Sequence, residues 1–102
     1  MFGNRTAKNE LELPPMAKDN PAAVEVLRVW TAPGSPQQLT LRTTWKNPAA
    51  WGLMLVDIAR HAAQAYRADG RDPEEVLRVI REFWDAEFER PTSPARDITP
   101  RG

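Results

Sequence analysis

Asp57 and His61 are the residues of this chain whose types and spacing come nearest to chemistry. Four positions apart on a helix they share a face, where a carboxylate can orient an imidazole for proton transfer or both can ligate a metal. His61 is the one histidine present, so a metal site would need a further ligand from a distant acid, and no metal is expected. The plainer reading of the pair is a solvated helix face. Arg28, Arg42, Trp30 and Trp45 set guanidinium groups beside aromatic rings, the kind of surface on which single-stranded bases stack. Core tryptophans and solubilising arginines explain the same four residues. With 14 basic against 14 acidic side chains there is no net field to attract phosphate, so no nucleic acid is expected.

Other chemistries lack their residues. The glycines stand apart at Gly3, Gly34, Gly52, Gly70 and Gly102, so neither a G-x-x-x-x-G-K loop nor a G-x-G-x-x-G turn is present. Ser35 and Ser93, the only serines, each lie beside or near proline in a turn or tail that cannot hold a nucleophile rigidly. Cysteine is absent, which removes disulfides and thiolate catalysis and suits a reducing cytoplasm. No cofactor is expected. The first ten residues carry no apolar h-region, and the longest nearly apolar stretch, residues 49–56, is far short of the roughly 20 needed to cross a bilayer, so neither export nor a membrane span is expected.

The sequence divides into an N-terminal arm at 1–20, a single domain at 21–90 and a polar, proline-spaced tail at 91–102, expected to be disordered. Residues 23–31, rich in Val, Leu and Trp, predict a first strand. Pro33, Gly34, Ser35 and Pro36 supply a turn. Residues 38–45 then alternate, with Leu39, Leu41, Thr43 and Trp45 on one side, and predict a second strand. Asn47-Pro48 and Asp69-Gly70 bound a helix over 48–69, and Asp72-Pro73-Glu74-Glu75 opens another that Pro91 ends. Both helices carry an apolar stripe, through Trp51, Leu55, Ile58, Ala59, Ala62 and Tyr66 in one and Val76, Ile80, Phe83, Trp84 and Phe88 in the other. The predicted fold is α+β, a β-hairpin followed by two amphipathic helices (β-β-α-α) in two layers. At 1.5 Å per residue the first helix would run roughly 33 Å, long enough to lie along the hairpin.

Two strands are a poor whole sheet. A lone hairpin leaves both edges unpaired. The first strand is apolar at Val24, Val26 and Trp30 and also at Leu27 and Val29, so it shows no wet face. Leu53, Met54 and Val56 add apolar surface off the main helical stripe, and Gly52 reads equally as a close approach by a ring or a neighbouring chain or as glycine tolerated at a helix start. These features predict a homodimer whose first strands pair across a two-fold axis, giving a four-stranded antiparallel sheet with the second strands outermost. Docking of the Met16 arm as cover is the competing expectation.

Ala-Val-Glu-Val-Leu-Arg-Val-Trp at 23–30, Trp45-Lys46-Asn47-Pro48-Ala49-Ala50-Trp51-Gly52 and Leu55-Val56-Asp57-Ile58-Ala59-Arg60-His61 together resemble a family of short uncharacterised bacterial proteins classed as a domain of unknown function. That resemblance spans roughly residues 20–90 and implies a self-contained bacterial cytoplasmic domain with no activity attached. The leading functional expectation is a non-enzymatic homodimeric interaction module, an adaptor or regulator that takes a protein or peptide on its outer strand edge. Leu27, Val29, Trp30, Arg42 and Trp45 are its candidate binding residues. The alternative is a small-molecule binder or minor enzyme whose pocket, lined by Trp30, Trp45, Trp51, Tyr66 and Trp84, uses Asp57 and His61 as polar or catalytic groups.

Overall fold

A computed structural model describes residues 7–92 and 96–99 of the chain. Along them run α1 (Pro15–Asp19), β1 (Leu27–Ala32), β2 (Ser35–Leu41), α2 (Ala49–Ala65), α3 (Pro73–Glu89) and β3 (Arg96–Asp97). The hairpin followed by two long helices is the expected α+β order. A one-turn helix in the arm and a two-residue strand near the C-terminus are added to it.

Each long helix is bounded by the residues its ends require. The Asn47 side chain accepts the Ala49 N–H at 2.9 Å, satisfying a donor that the first turn leaves without a partner. At the other end α2 tightens into a 3-10 turn over Tyr66–Asp69, and Gly70 closes it at φ 79, a left-handed conformation that glycine adopts without a Cβ penalty. Asp72 repeats the capping device for α3, accepting the Glu74 N–H at 3.3 Å, with Pro73 at the first helical position. The short link between them turns the chain back, and the helices meet at Ala63 and Val76, 2% and 4% exposed. These two side chains are the core among the described residues.

In the hairpin Leu27 faces Leu41 and Val29 faces Leu39, so these four side chains share one apolar face. Arg28 opposite Thr40 and Trp30 opposite Gln38 make up the other. Pro33 and Gly34 form the turn, Gly34 at φ 78, the combination of a type II turn. Beside the turn β2 carries one residue more than β1 between the pairs Trp30–Gln38 and Ala32–Ser35, a bulge that accommodates Pro36, which has no N–H for a ladder.

The strands are displaced from their predicted bounds for local reasons. The chain turns at Asn20, whose side chain accepts the Ala22 N–H and whose carbonyl accepts the Ala23 N–H, while Val26, just before β1, still accepts the Arg42 N–H at 2.9 Å. β2 ends at Leu41 because the chain turns at 42–45: Thr44 has φ 60, its hydroxyl donates to the Arg42 carbonyl at 3.0 Å, and the Trp45 N–H donates to the Thr43 carbonyl. Trp45 therefore leaves the Leu39/Leu41 face.

Two expectations about the sheet are corrected. β3 runs parallel to β2, with Gln38 opposite Arg96 and Leu39 opposite Asp97, so the sheet is mixed, its order is β1-β2-β3, and β2 is central rather than outermost. The sheet and the helices also do not close as two layers within one chain, because no strand Cα lies within 8 Å of a Cα of α2 or α3 among the described residues. The chain accordingly exposes 9257 Å², against about 5,800 Å² for a compact monomer of its mass. Its radius of gyration is 16.0 Å, against about 13 Å for a compact domain of this length.

Candidate functional site

Where the backbone of β1 points decides which surface it offers. The Ile98 N–H donates to the Leu39 carbonyl and the Leu41 N–H to the Thr99 hydroxyl, both at 2.9 Å, so Leu39 and Leu41 turn their backbone groups toward β3. In an antiparallel pair the residues directly opposite turn theirs the other way. Leu27 and Val29 thus aim their N–H and C=O groups away from β2, along the outer edge of β1. Among the described residues no strand pairs with that edge.

Beyond the edge runs residues 9–14 of the arm, separated from it by a groove of about 640 Å³ whose walls include Leu11, Leu13, Leu27, Val29 and Trp30. The arm is tied down at one end. Glu10 and Glu25 share the Arg28 guanidinium at 2.7 and 3.2 Å, and Glu25 first, then Glu10, raises the Arg28 pKa above its ordinary value. Leu11 is nonetheless 89% exposed, so the arm borders the groove without filling it.

Of the five candidate binding residues, Leu27, Val29 and Trp30 come together here. Arg42 lies at the end of the sheet in a smaller hollow of about 270 Å³, shared with Leu27, Glu25 and Thr99. Trp45 is elsewhere, edge-on to Trp51 with ring centroids 5.9 Å apart. The Trp51 indole N–H donates to the Thr43 carbonyl at 3.0 Å. The stretch from Thr43 to Trp51 is thus cross-braced by an indole hydrogen bond, a ring contact and the Asn47 cap, a strut between hairpin and helices.

Asp57 and His61 share a face of α2, as their spacing predicts, and both are exposed. His61 Nδ1 donates to the backbone carbonyl of Asp57 at 2.8 Å, so the contact leads to the helix backbone rather than to the carboxylate. Among the described residues no three His, Cys, Asp or Glu side chains gather as metal ligands. The five aromatic residues of the alternative pocket are likewise dispersed. Trp30 lines the arm groove, Trp45 and Trp51 brace the strut, Tyr66 lies under the Arg71 guanidinium at 5.5 Å, and Trp84 leans on Phe88 at 5.2 Å.

One surface has a sequence signal that points to it without locating it. Between α2 and α3, away from Ala63 and Val76, a groove of about 450 Å³ is lined by Gly52, Leu55, Val56, Ala59, Leu77, Ile80 and Trp84, together with the charged Arg60, Arg81 and Asp85. Within the chain nothing comes within 4 Å of the position a Cβ on Gly52 would take, so the close approach expected there is not made by this chain. The apolar Leu53, Met54 and Val56, off the main stripe, were the available signal.

The comparisons with known proteins agree with the fold and stop short of an activity. The family model of the domain of unknown function DUF5076 matches residues 10–92, and the chain belongs to that family. It is also similar to a solved structure whose printed description is a "putative pyruvate dehydrogenase" from the photosynthetic bacterium Rhodopseudomonas palustrus. The two are 36% identical, with a TM-score of 0.73, over 96% of this chain and 99% of that one. No curated protein matches the sequence. No helix among the described residues is long and apolar enough to cross a membrane.

Proposed function

We propose that this protein is a non-enzymatic homodimeric interaction module, an adaptor or regulator, assembled by pairing β1 with its two-fold mate. The observation that carries the reading is the outer edge of β1: the backbone groups of Leu27 and Val29 point along it without a strand partner among the described residues, beside a groove of about 640 Å³. An unpaired apolar edge of this kind is a template for another strand. Since β3 covers the far side of β2, two copies joined at β1 would carry a six-stranded sheet, in place of the four strands expected from two hairpins alone. A bacterial cytoplasmic setting belongs to the same reading, supported by the bacterial relative and by the absence of cysteine. The dehydrogenase activity named for that relative is not carried over to this chain.

Val29→Pro tests the pairing. Proline removes an N–H that points away from the hairpin's own ladder, so β1–β2 survives while the outer edge loses a donor. Light scattering is expected to find a dimer for the unaltered chain at micromolar concentration and a monomer, or at least a tenfold weaker dimer, for the variant. An unaltered chain that is monomeric overturns the proposal.

A further inference from the structure

We infer that the apolar groove between α2 and α3 is filled by the Leu27/Val29/Leu39/Leu41 sheet face of a second copy, so that the two chains interlock and each closes the other's two-layer core. The inference rests on the dimer proposed above and adds to it which surfaces meet.

The chain carries two apolar faces of matching kind that it keeps apart. One is the sheet face, with Leu27 opposite Leu41 and Val29 opposite Leu39. The other is the groove of Gly52, Leu55, Val56, Leu77, Ile80 and Trp84. In an ordinary two-layer α+β domain these faces would cover each other. Here they do not. The Trp51 indole bonded to Thr43, the Trp45–Trp51 contact and the left-handed Thr44 brace the link between hairpin and helices, and no Cα of one lies within 8 Å of a Cα of the other among the described residues.

Area identifies the occupant. The exposed surface of 9257 Å² exceeds that of a compact monomer by about 3,400 Å². An obligate dimer buries roughly 2,000–5,000 Å² in total, about 1,000–2,500 Å² from each chain, which is less than this excess, so one chain has surface enough for a second copy to cover. On the two surfaces themselves Val29, Val56 and Trp84 are 48%, 50% and 45% exposed, side chains of the apolar and aromatic kind found at such interfaces. A second copy also supplies groove and face in equal number, which leaves neither without a partner. The arm borders the outer edge of β1 and lines no part of the α2–α3 groove, and its Leu11 and Met16 are 89% and 63% exposed.

The absence of cysteine makes the test direct. Chains carrying Val29→Cys and chains carrying Val56→Cys are mixed, allowed to exchange, treated with a short bismaleimide and read by mass spectrometry, with folding checked by circular dichroism. Val29 and Val56 are both half-exposed in the single chain, and Val→Cys changes side-chain volume little, so the circular dichroism check reads any loss of fold directly. The expected product is a 29–56 link between two chains. A dimer by light scattering that yields only 29–29 links keeps the β1 pairing and overturns the interlock. A 29–56 link within one chain carrying both cysteines, at monomer mass, shows the hairpin folding onto its own helices and overturns it as well. A monomer with no links overturns both proposals.

Discussion

At the scale of single residues the informative positions are those where the backbone is forced. Thr44 is β-branched yet stands at φ 60, a conformation that costs such a residue on the order of 1–3 kcal/mol. Thr44→Gly removes that cost and adds back roughly 0.5–1 kcal/mol of unfolded-state entropy. The expected result is a rise in unfolding free energy of about 1 kcal/mol at fixed protein concentration. Thr44→Val keeps the strain and loses the hydroxyl's bond to Arg42, so it should lower stability; if Val raises stability and Gly lowers it, the strain assignment is wrong. On α3 the Arg78 guanidinium bonds Glu75 at 2.5 Å and also bonds Glu82. That hydrogen bond and charge hold the Glu75 carboxyl below its ordinary pKa. A lowered carboxylate stabilises the fold above its unfolded-state pKa and gives that contribution up as the pH falls through the lowered folded value. The contribution is small because the pair is solvent-exposed. Arg78→Ala should return the Glu75 titration, followed by carboxyl NMR, to the ordinary glutamate range; an unmoved curve would assign the shift elsewhere. The caps at Asn47 and Asp72 and the stop at Gly70 were legible in the sequence because their side chains act on the nearest backbone. Thr44 was not, since nothing in Arg42-Thr43-Thr44-Trp45 marks a left-handed residue and the alternation there reads as a continuing strand.

At the scale of elements the helices were more legible than the sheet, and the difference is physical. A helix satisfies its backbone within its own sequence, so its period and caps specify it. A strand depends on what lies beside it. Nothing in the residues before Arg96 predicts that Arg96–Asp97 would pair with β2, and the pairing changes β2 from an edge to a centre. The Asp57/His61 spacing was read correctly as one helix face, but face sharing does not fix which atom the imidazole meets, and it meets a carbonyl. The groove between α2 and α3 was visible only as surplus apolar residues, because where two helices diverge is set by their packing and not by either sequence alone. The hairpin turn is where an element-scale prediction is sharpest. Gly34 stands at φ 78 with open space where a Cβ would be. The cost of Gly34→Ala is therefore conformational alone, about 1–2 kcal/mol. Gly70→Ala, at φ 79 and equally open, should cost a similar amount. The two sites lie in different halves of the chain, so their effects in thermal unfolding should add within about 0.5 kcal/mol. A cost well below 1 kcal/mol at Gly34 would mean the hairpin reaches its register without the type II turn.

At the scale of the whole molecule the governing fact is that, among its described hydrophobic residues, a chain of this size buries only Ala63 and Val76. Folded proteins are stable by a margin of only about 5–15 kcal/mol, the residue of hydrophobic burial over conformational entropy. With Phe83, Trp84, Phe88, Val29 and Trp30 open to water, the burial side of that balance is short in a single chain. Association supplies it, and mass action then makes stability depend on concentration. If the fold is completed by a second copy, the unfolding midpoint should rise steadily as protein concentration is raised a hundredfold, and the native and unfolded baselines should stay those of one cooperative transition. Val29→Pro, which weakens the β1 edge, should lower the midpoint most at the dilute end. The tryptophans report the same event: Trp30 and Trp84, exposed in the single chain, should shift to bluer emission as dimers form. A midpoint and an emission maximum that do not move with concentration would require the hairpin to fold onto its own helices, which the Thr43–Trp51 strut opposes. In that case Trp51→Ala, which cuts the strut, should leave stability nearly unchanged beyond the loss of one ring. In the interlocked dimer it should instead weaken association, because the angle that presents each face to the partner is no longer held.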